Sequence, residues 1–179
     1  RDSKNRHYFE RLSEGLKRRP DRPKLVEEKA RVLVLLEKLE GHTSDSERRL
    51  ALEHIDAAID LDPYNPAHRI RKLLILDRLE EWAALSAEAE SLLVVYPYRR
   101  SVLMGAVKAY LELGQPERAL PHALRLAAIA PMGFSGNETL GTVYSHLGRP
   151  ATACIHYRRA IENDPEHRSA EALAEYCEQ

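Results

Sequence analysis

Prolines stand at positions 63, 97, 131 and 165, each 34 residues from the next. Nothing else in the chain restricts its fold as strongly, because a fixed period of this length means that one supersecondary unit is repeated and stacked. Other residues keep the same step. Tyr110 and Tyr144, Gly114 and Gly148, Pro116 and Pro150, and Ala119 and Ala153 are so related, and Ala51 lies two steps before Ala119. Each period reads as two helices. In "SVLMGAVKAYLEL" (101–113) the apolar residues recur at helical spacing, and "GQP" then ends one helix and starts another. "ERALPHALRLAAIA" (117–130) follows and Pro131 ends it, with Pro121 inside the first two turns, where a missing N–H costs least. Small residues at fixed places imply close helix approach at Ala119 and Ala153. Gly114 and Gly148 imply left-handed turns between helices. Tyr144 and Tyr157 are expected to fill the space between paired helices.

Composition narrows the function classes. The 27 basic and 28 acidic residues leave a net charge of −1, which gives no general pull toward nucleic acid or an anionic membrane. The longest apolar run, "VLVLL" (32–36), is far too short to span a bilayer. Two cysteines do not make a disulfide framework, so the compartment, cytoplasm or periplasm, stays open. The chain begins at Arg1 and is expected to be one segment of a larger protein.

The 34-residue unit resembles the tetratricopeptide repeat (TPR) family, whose pattern runs W-x2-L-G-x2-Y, then A-x3-F, then P. The last full unit has Leu140, Gly141 and Tyr144, then Ala153 and Tyr157, then Pro165, with Asn137 where the family often has Trp. The preceding unit keeps Tyr110, Gly114, Ala119 and Pro131, but has Ala106-Val107 for Leu-Gly and Ala123 for the aromatic. In the unit from Pro66, Glu80 replaces the turn glycine and Leu85 the small alanine. The resemblance implies an all-α, right-handed superhelical solenoid of antiparallel helix pairs, about ten helices in all. One array is expected over 1–179: a partial repeat (1–22), a variant repeat (23–65) with an inserted loop near 40–47, repeats at 66–99, 100–133 and 134–167, and a terminal helix at 168–179. Asp45 or Ser46 is placed to cap the helix near 46–61.

In the family the first helix of each pair lines a concave groove that binds extended partner segments. Carried onto this sequence, the groove residues are Arg31, then Ile70, Arg71, Leu74, Asp77 and Arg78. Met104, Lys108 and Glu112 follow, then Glu138, Thr142, Ser145 and His146. Singly, each of these also fits an ordinary solvated face. The Lys/Asn set of TPR domains that clamp the C-terminal carboxylate of chaperones is absent. Its positions hold Met104 and Glu138, with Lys108 and Thr142 at the Asn position.

A second register, His54, Glu88, His122 and His156, repeats every 34 residues on the second helices. A metal or proton-linked site using His122, His156 and Glu88 is one reading. A half-exposed packing position that accepts a flat polar ring is the favoured one, because no further ligand completes a set. Cys154 takes a place held by Leu52, Ser86 and Leu120 elsewhere and is expected to be buried. Cys177 stands level with it across an antiparallel hairpin, yet both thiols are expected to be free. Arginine pairs at 18–19, 48–49, 99–100 and 158–159, with Tyr96 and Tyr98 nearby, raise RNA binding, which their spread over several faces and the balancing acids disfavour. No catalytic motif is present: no phosphate loop, no HExxH, no G-x-S-x-G. The expected function is a protein-interaction scaffold that binds a protein or peptide in the groove, without catalysis, metal or cofactor. The alternative is a scaffold or regulatory module of a larger enzyme or an export or secretion machine.

Overall fold

A computed structural model of the chain describes residues 2–28 and 45–178, which are helical with no strand. The helices are α1 (Asp2–Arg18), α2 (helical over 23–28), α3 (Asp45–Leu61), α4 (Pro66–Arg78), α5 (Trp82–Val95), α6 (Arg100–Glu112), α7 (Pro116–Ile129), α8 (Phe134–His146), α9 (Pro150–Asn163) and α10 (Ala170–Tyr176). α3 begins at Asp45, whose carboxylate accepts from Arg48 Nη1 at 3.0 Å, so the last residues of the expected 40–47 loop are its first turn. The rest of that loop and Arg31 lie outside the described residues.

The chain divides into two compact units, 1–81 and 82–179. In the first, Val26 of α2 meets Ala51, Ile55 and Ala58 of α3 and Ile75 of α4, with Leu16 of α1 packed against them. In the second, α6, α7 and α8 share one apolar cluster of Val107, Tyr110, Ala119, Ala123, Leu140 and Val143. Phe134, Ala160 and Ala170 close the end where α8, α9 and α10 meet. Ala119 and Ala153 are both fully buried, as close helix approach requires.

Local chemistry sets the helix ends. Asn65 caps α4 by accepting from the Ala67 N–H at 3.1 Å, and Pro66, Pro116 and Pro150 open α4, α7 and α9, where a missing N–H is harmless. Pro121 stays inside a continuous α7. Gly114 and Gly148 take φ of 66° and 68°, and each N–H closes back on the carbonyl three residues earlier. Glu80, at the same place, is forced to φ 57°.

The cysteines overturn two expectations. Cys154 and Cys177 form a disulfide, with Cα atoms 5.5 Å apart, and Cys154 is half-buried instead of buried. α10 runs back along α9 so that the two residues, level in the hairpin, also face each other, well inside the range a bridge can span. The facing was the missing fact.

Candidate functional site

The helical period puts Met104, Lys108 and Glu112 in one row on α6, because residues four apart share a face. Met104 and Lys108 are exposed and Glu112 lies at the end of the row, on the side opposite Val102, Leu103, Ala106 and Ala109, which are buried. Met104 is 44% exposed. The Lys108 ammonium lies 5.2 Å from the centre of the Trp82 ring at the start of α5, a cation–π contact that gives the row an aromatic neighbour. The sequence reading missed Trp82, although it is the only tryptophan and stands where α7 and α9 have prolines.

On α8 the matching row is Glu138, Thr142, Ser145 and His146. Glu138, Thr142 and Ser145 are half-buried, and His146 is exposed. Thr142 Oγ1 donates to the Glu138 carbonyl at 3.0 Å, and His146 Nδ1–H donates to the Thr142 carbonyl at 2.9 Å, which leaves His146 Nε2 as an acceptor. Ser145 is engaged from within, its hydroxyl 2.8 Å from the Tyr176 hydroxyl of α10.

The α4 row lies in the first unit. Ile70 is half-buried and Leu74 is exposed. Asp77 is half-buried. Arg78, at the end of the helix, is exposed. Arg71 is no loose charge, since its Nε donates to Glu27 Oε1 of α2 at 3.1 Å. The other oxygen of Glu27 lies 3.1 Å from Nδ1 of the fully buried His68, whose Nε2 is 3.7 Å from Asp62. The two carboxylates sit at opposite ring nitrogens, so one ion cannot use both together with the imidazole. Among the described residues no three His, Cys, Asp or Glu side chains converge as a metal set.

The histidine register has a concrete role at two of its members. His122 lies parallel to Tyr110 with ring centres 5.8 Å apart, and His156 lies parallel to Tyr144 at 5.3 Å. In both, the ring of a second helix covers the tyrosine of its own first helix, twelve residues back. The carboxylate beside His122 is Glu90, not Glu88. His122 Nε2 lies 3.0 Å from Glu90 Oε1, and its Nδ1 lies 3.0 Å from Arg125 Nη2. A guanidinium only donates, so Nδ1 accepts and Nε2–H donates to Glu90. The Tyr110 hydroxyl also donates to Glu90 at 2.8 Å and accepts from Arg118 at 2.7 Å, giving one network over α5, α6 and α7. Burial holds His122 below the usual imidazole range; Glu90 works against this, and Arg125 and Arg118 add to it. Burial also presses the Glu90 carboxyl upward, but the Tyr110 and His122 hydrogen bonds, with the His122 and Arg118 charges, leave it below the usual value.

This backbone of paired helices is similar to several solved proteins. MamA (residues 41 to the end) from Desulfovibrio magneticus RS-1 matches at TM-score 0.79 and 16% identity, covering 92% of this chain and 88% of that one. YrrB, a TPR protein with an unusual peptide-binding site, matches at TM-score 0.79 and 13% identity, over 97% and 84%. A thermophilic TPR protein of Thermus thermophilus matches at TM-score 0.66 and 16% identity, over 99% and 92%. The chain has the tetratricopeptide-repeat fold. No protein-family model matches the sequence, and no curated protein does. In TPR terms α6, α8 and α10 are first helices, and α5, α7 and α9 second helices. No helix among the described residues is long and apolar enough to cross a membrane.

Proposed function

We propose that the chain is a protein-interaction scaffold without catalysis of its own. In this reading it binds an extended segment of a partner protein along the first-helix faces of α6 and α8. The exposed Met104, beside the Lys108–Trp82 contact, carries the reading. A methionine adapts its shape to varied apolar partners, and a row of one apolar and several polar side chains suits a peptide with alternating character. Glu112, Glu138 and Thr142 supply acceptors, and His146 Nε2 adds one more. YrrB shares the fold and has a peptide-binding site, which supports a peptide as the ligand class. Ser145, already held by Tyr176, has a smaller part. Ile70, Leu74, Asp77 and Arg78 on α4 form a further face for the same purpose, while Arg71 serves chiefly to hold Glu27. The scaffold would act within a larger protein or assembly.

The test is a pull-down with the wild-type chain and the Met104→Glu/Lys108→Glu variant, together with a thermal melt of both. The exposed positions predict a small stability loss, about 0.5 kcal/mol each or a little more at Lys108, where the Trp82 contact goes. Partners captured by the wild type should be lost from the variant. If the variant captures the same partners as well as the wild type, the first-helix face is not the binding surface.

A further inference from the structure

The outer face of α5 carries no charge. Its exposed residues are Ala83, Ala84, Ala87, Ser91, Val94 and Val95, and they lie on one side because residues three and four apart share a face of a helix. A helix at a protein surface ordinarily turns charged and polar side chains outward. Other helices of this chain do so at the same places of the repeat. Where α5 has Ala83, Ala87 and Val94, α3 carries Arg49, Glu53 and Asp60, all exposed. On α9 the outward residues include Arg158, Arg159 and Glu162. None of the residues proposed for partner binding on α6 and α8 belongs to the α5 face.

The apolar surface widens at the end of α5. Val94 is 84% exposed and Val95 64%, and Tyr98 in the following turn is 66% exposed. Arg125 of α7 reaches the Pro97 carbonyl of this turn at 3.4 Å, so the last turns of α7 lie beside it. They add Leu124 and Ile129, both exposed, and Met132 just beyond them is 80% exposed. With the alanines of α5 this surface measures on the order of 800 Å², more than the largest apolar patch of a typical monomer and about what one partner gives to a stable dimer.

The face is graded in size and symmetric in position. Small side chains fill its first half and valines end its second. Positions 83 and 95, 84 and 94, and 87 and 91 are each equidistant from residue 89. We propose that a second copy of this chain covers the face, with the two α5 helices packed antiparallel about a two-fold axis. Pairing in this register sets Val95 and Val94 of each copy on Ala83 and Ala84 of the other, and Ala87 on Ser91. Every bulky side chain then meets a small one, as close helix packing requires. A two-fold contact uses the same patch on both subunits, so the patch has to be complementary to itself. Neither a bilayer nor an unrelated protein requires that symmetry. The charges at the rim agree with it. Arg99 and Arg100 follow the bulky end, and Glu117 of α7 stands exposed in the place of Ala83 one repeat on, so antiparallel pairing brings opposite charges together at each end. The pairing uses none of the α6 and α8 rows and stands whether or not they bind a peptide.

The test is sedimentation velocity of the whole chain over a wide concentration range, joined to disulfide cross-linking. The wild type should sediment at twice the mass of one chain and dissociate on dilution. Ala87→Arg puts a charge into the middle of the contact and should weaken the dimer at least about tenfold. Its far-ultraviolet circular dichroism should match the wild type, because the position is exposed in one copy. Ala84→Cys/Val94→Cys tests the register. Ten residues separate the two thiols on one helix, about 15 Å, too far for a bridge within the chain. Between antiparallel copies position 84 meets position 94, so mild oxidation should give a covalent dimer, and Ala84→Cys alone should not. A monomer at every concentration would overturn the proposal, and flotation of that monomer with anionic vesicles would give the face to a bilayer. A dimer that Ala87→Arg leaves intact, or a covalent dimer of Ala84→Cys alone, would overturn it too, by placing the contact elsewhere or the helices parallel. The Met104→Glu/Lys108→Glu variant should dimerise as the wild type does, so the two proposals fail separately.

Discussion

Glu80 shows what a repeat demands of one residue. Its backbone sits at φ 57°, the conformation that Gly114 and Gly148 adopt freely, and its N–H still closes on the Asp77 carbonyl at 3.2 Å. The turn imposes the geometry whatever the side chain, and a residue with a β-carbon there costs about 1 kcal/mol. Glu80→Gly should therefore stabilise the chain by about 0.5 kcal/mol or more, after the greater freedom of glycine in the unfolded chain is subtracted. Denaturant melts of the two forms decide it; an unchanged or lower midpoint would show that Glu80 carries no strain. His122 makes a different residue-scale prediction. A histidine with a lowered value binds fewer protons folded than unfolded, so stability is complete above the ordinary imidazole value and falls as pH drops below it. Glu90, also lowered, contributes above its ordinary carboxyl value and loses that contribution as pH falls through its folded value. Both signs run the same way, and acid should loosen the α5–α6–α7 network in two steps. Comparing melts of the wild type and His122→Phe between pH 7.5 and 5 isolates the first, and the wild type should lose more stability than the variant over that range.

At the scale of elements, side chains of two helices decide how closely they pack. A β-carbon at Gly141 of α8 would collide with the ring of Tyr157 on α9, and Tyr157 in turn meets the edge of Tyr176 on α10. Gly141→Ala should push α9 from α8 and cost about 1–3 kcal/mol. Circular dichroism melts would measure this, and a loss under about 0.5 kcal/mol, the range of ordinary surface changes, would show that the ring simply turns aside. The helices themselves were legible because proline, glycine and alanine mark positions that the backbone geometry fixes. The tyrosine–histidine stacks were legible in principle, since Tyr110 and Tyr144 precede His122 and His156 by the same interval. The Glu27–Arg71 pair was not, because 44 residues separate the partners and no period relates them.

For the whole chain, the repeat made the fold readable and left function open. A period encodes how units stack, whereas a binding face is set by the residues free to vary between units. Met104 and Lys108 could be placed on a first helix from register alone, but the Trp82 ring beside Lys108 and the engagement of Ser145 by Tyr176 depend on packing between helices. The disulfide depended on which way two level residues faced, which periodicity does not report. That bridge has a consequence for motion. α10, seven residues long, is too short to persist alone and depends on its packing against α9. Tied to α9 through a covalent link across 23 residues, it cannot drift away without dragging its neighbour's turn open. Amide deuterium uptake in α10 should accordingly be slow in the oxidised chain and rise sharply after treatment with dithiothreitol, while α6 and α7 keep their protection. Equal uptake before and after reduction would mean that Ala170, Leu173 and Tyr176 hold α10 in place without the bridge.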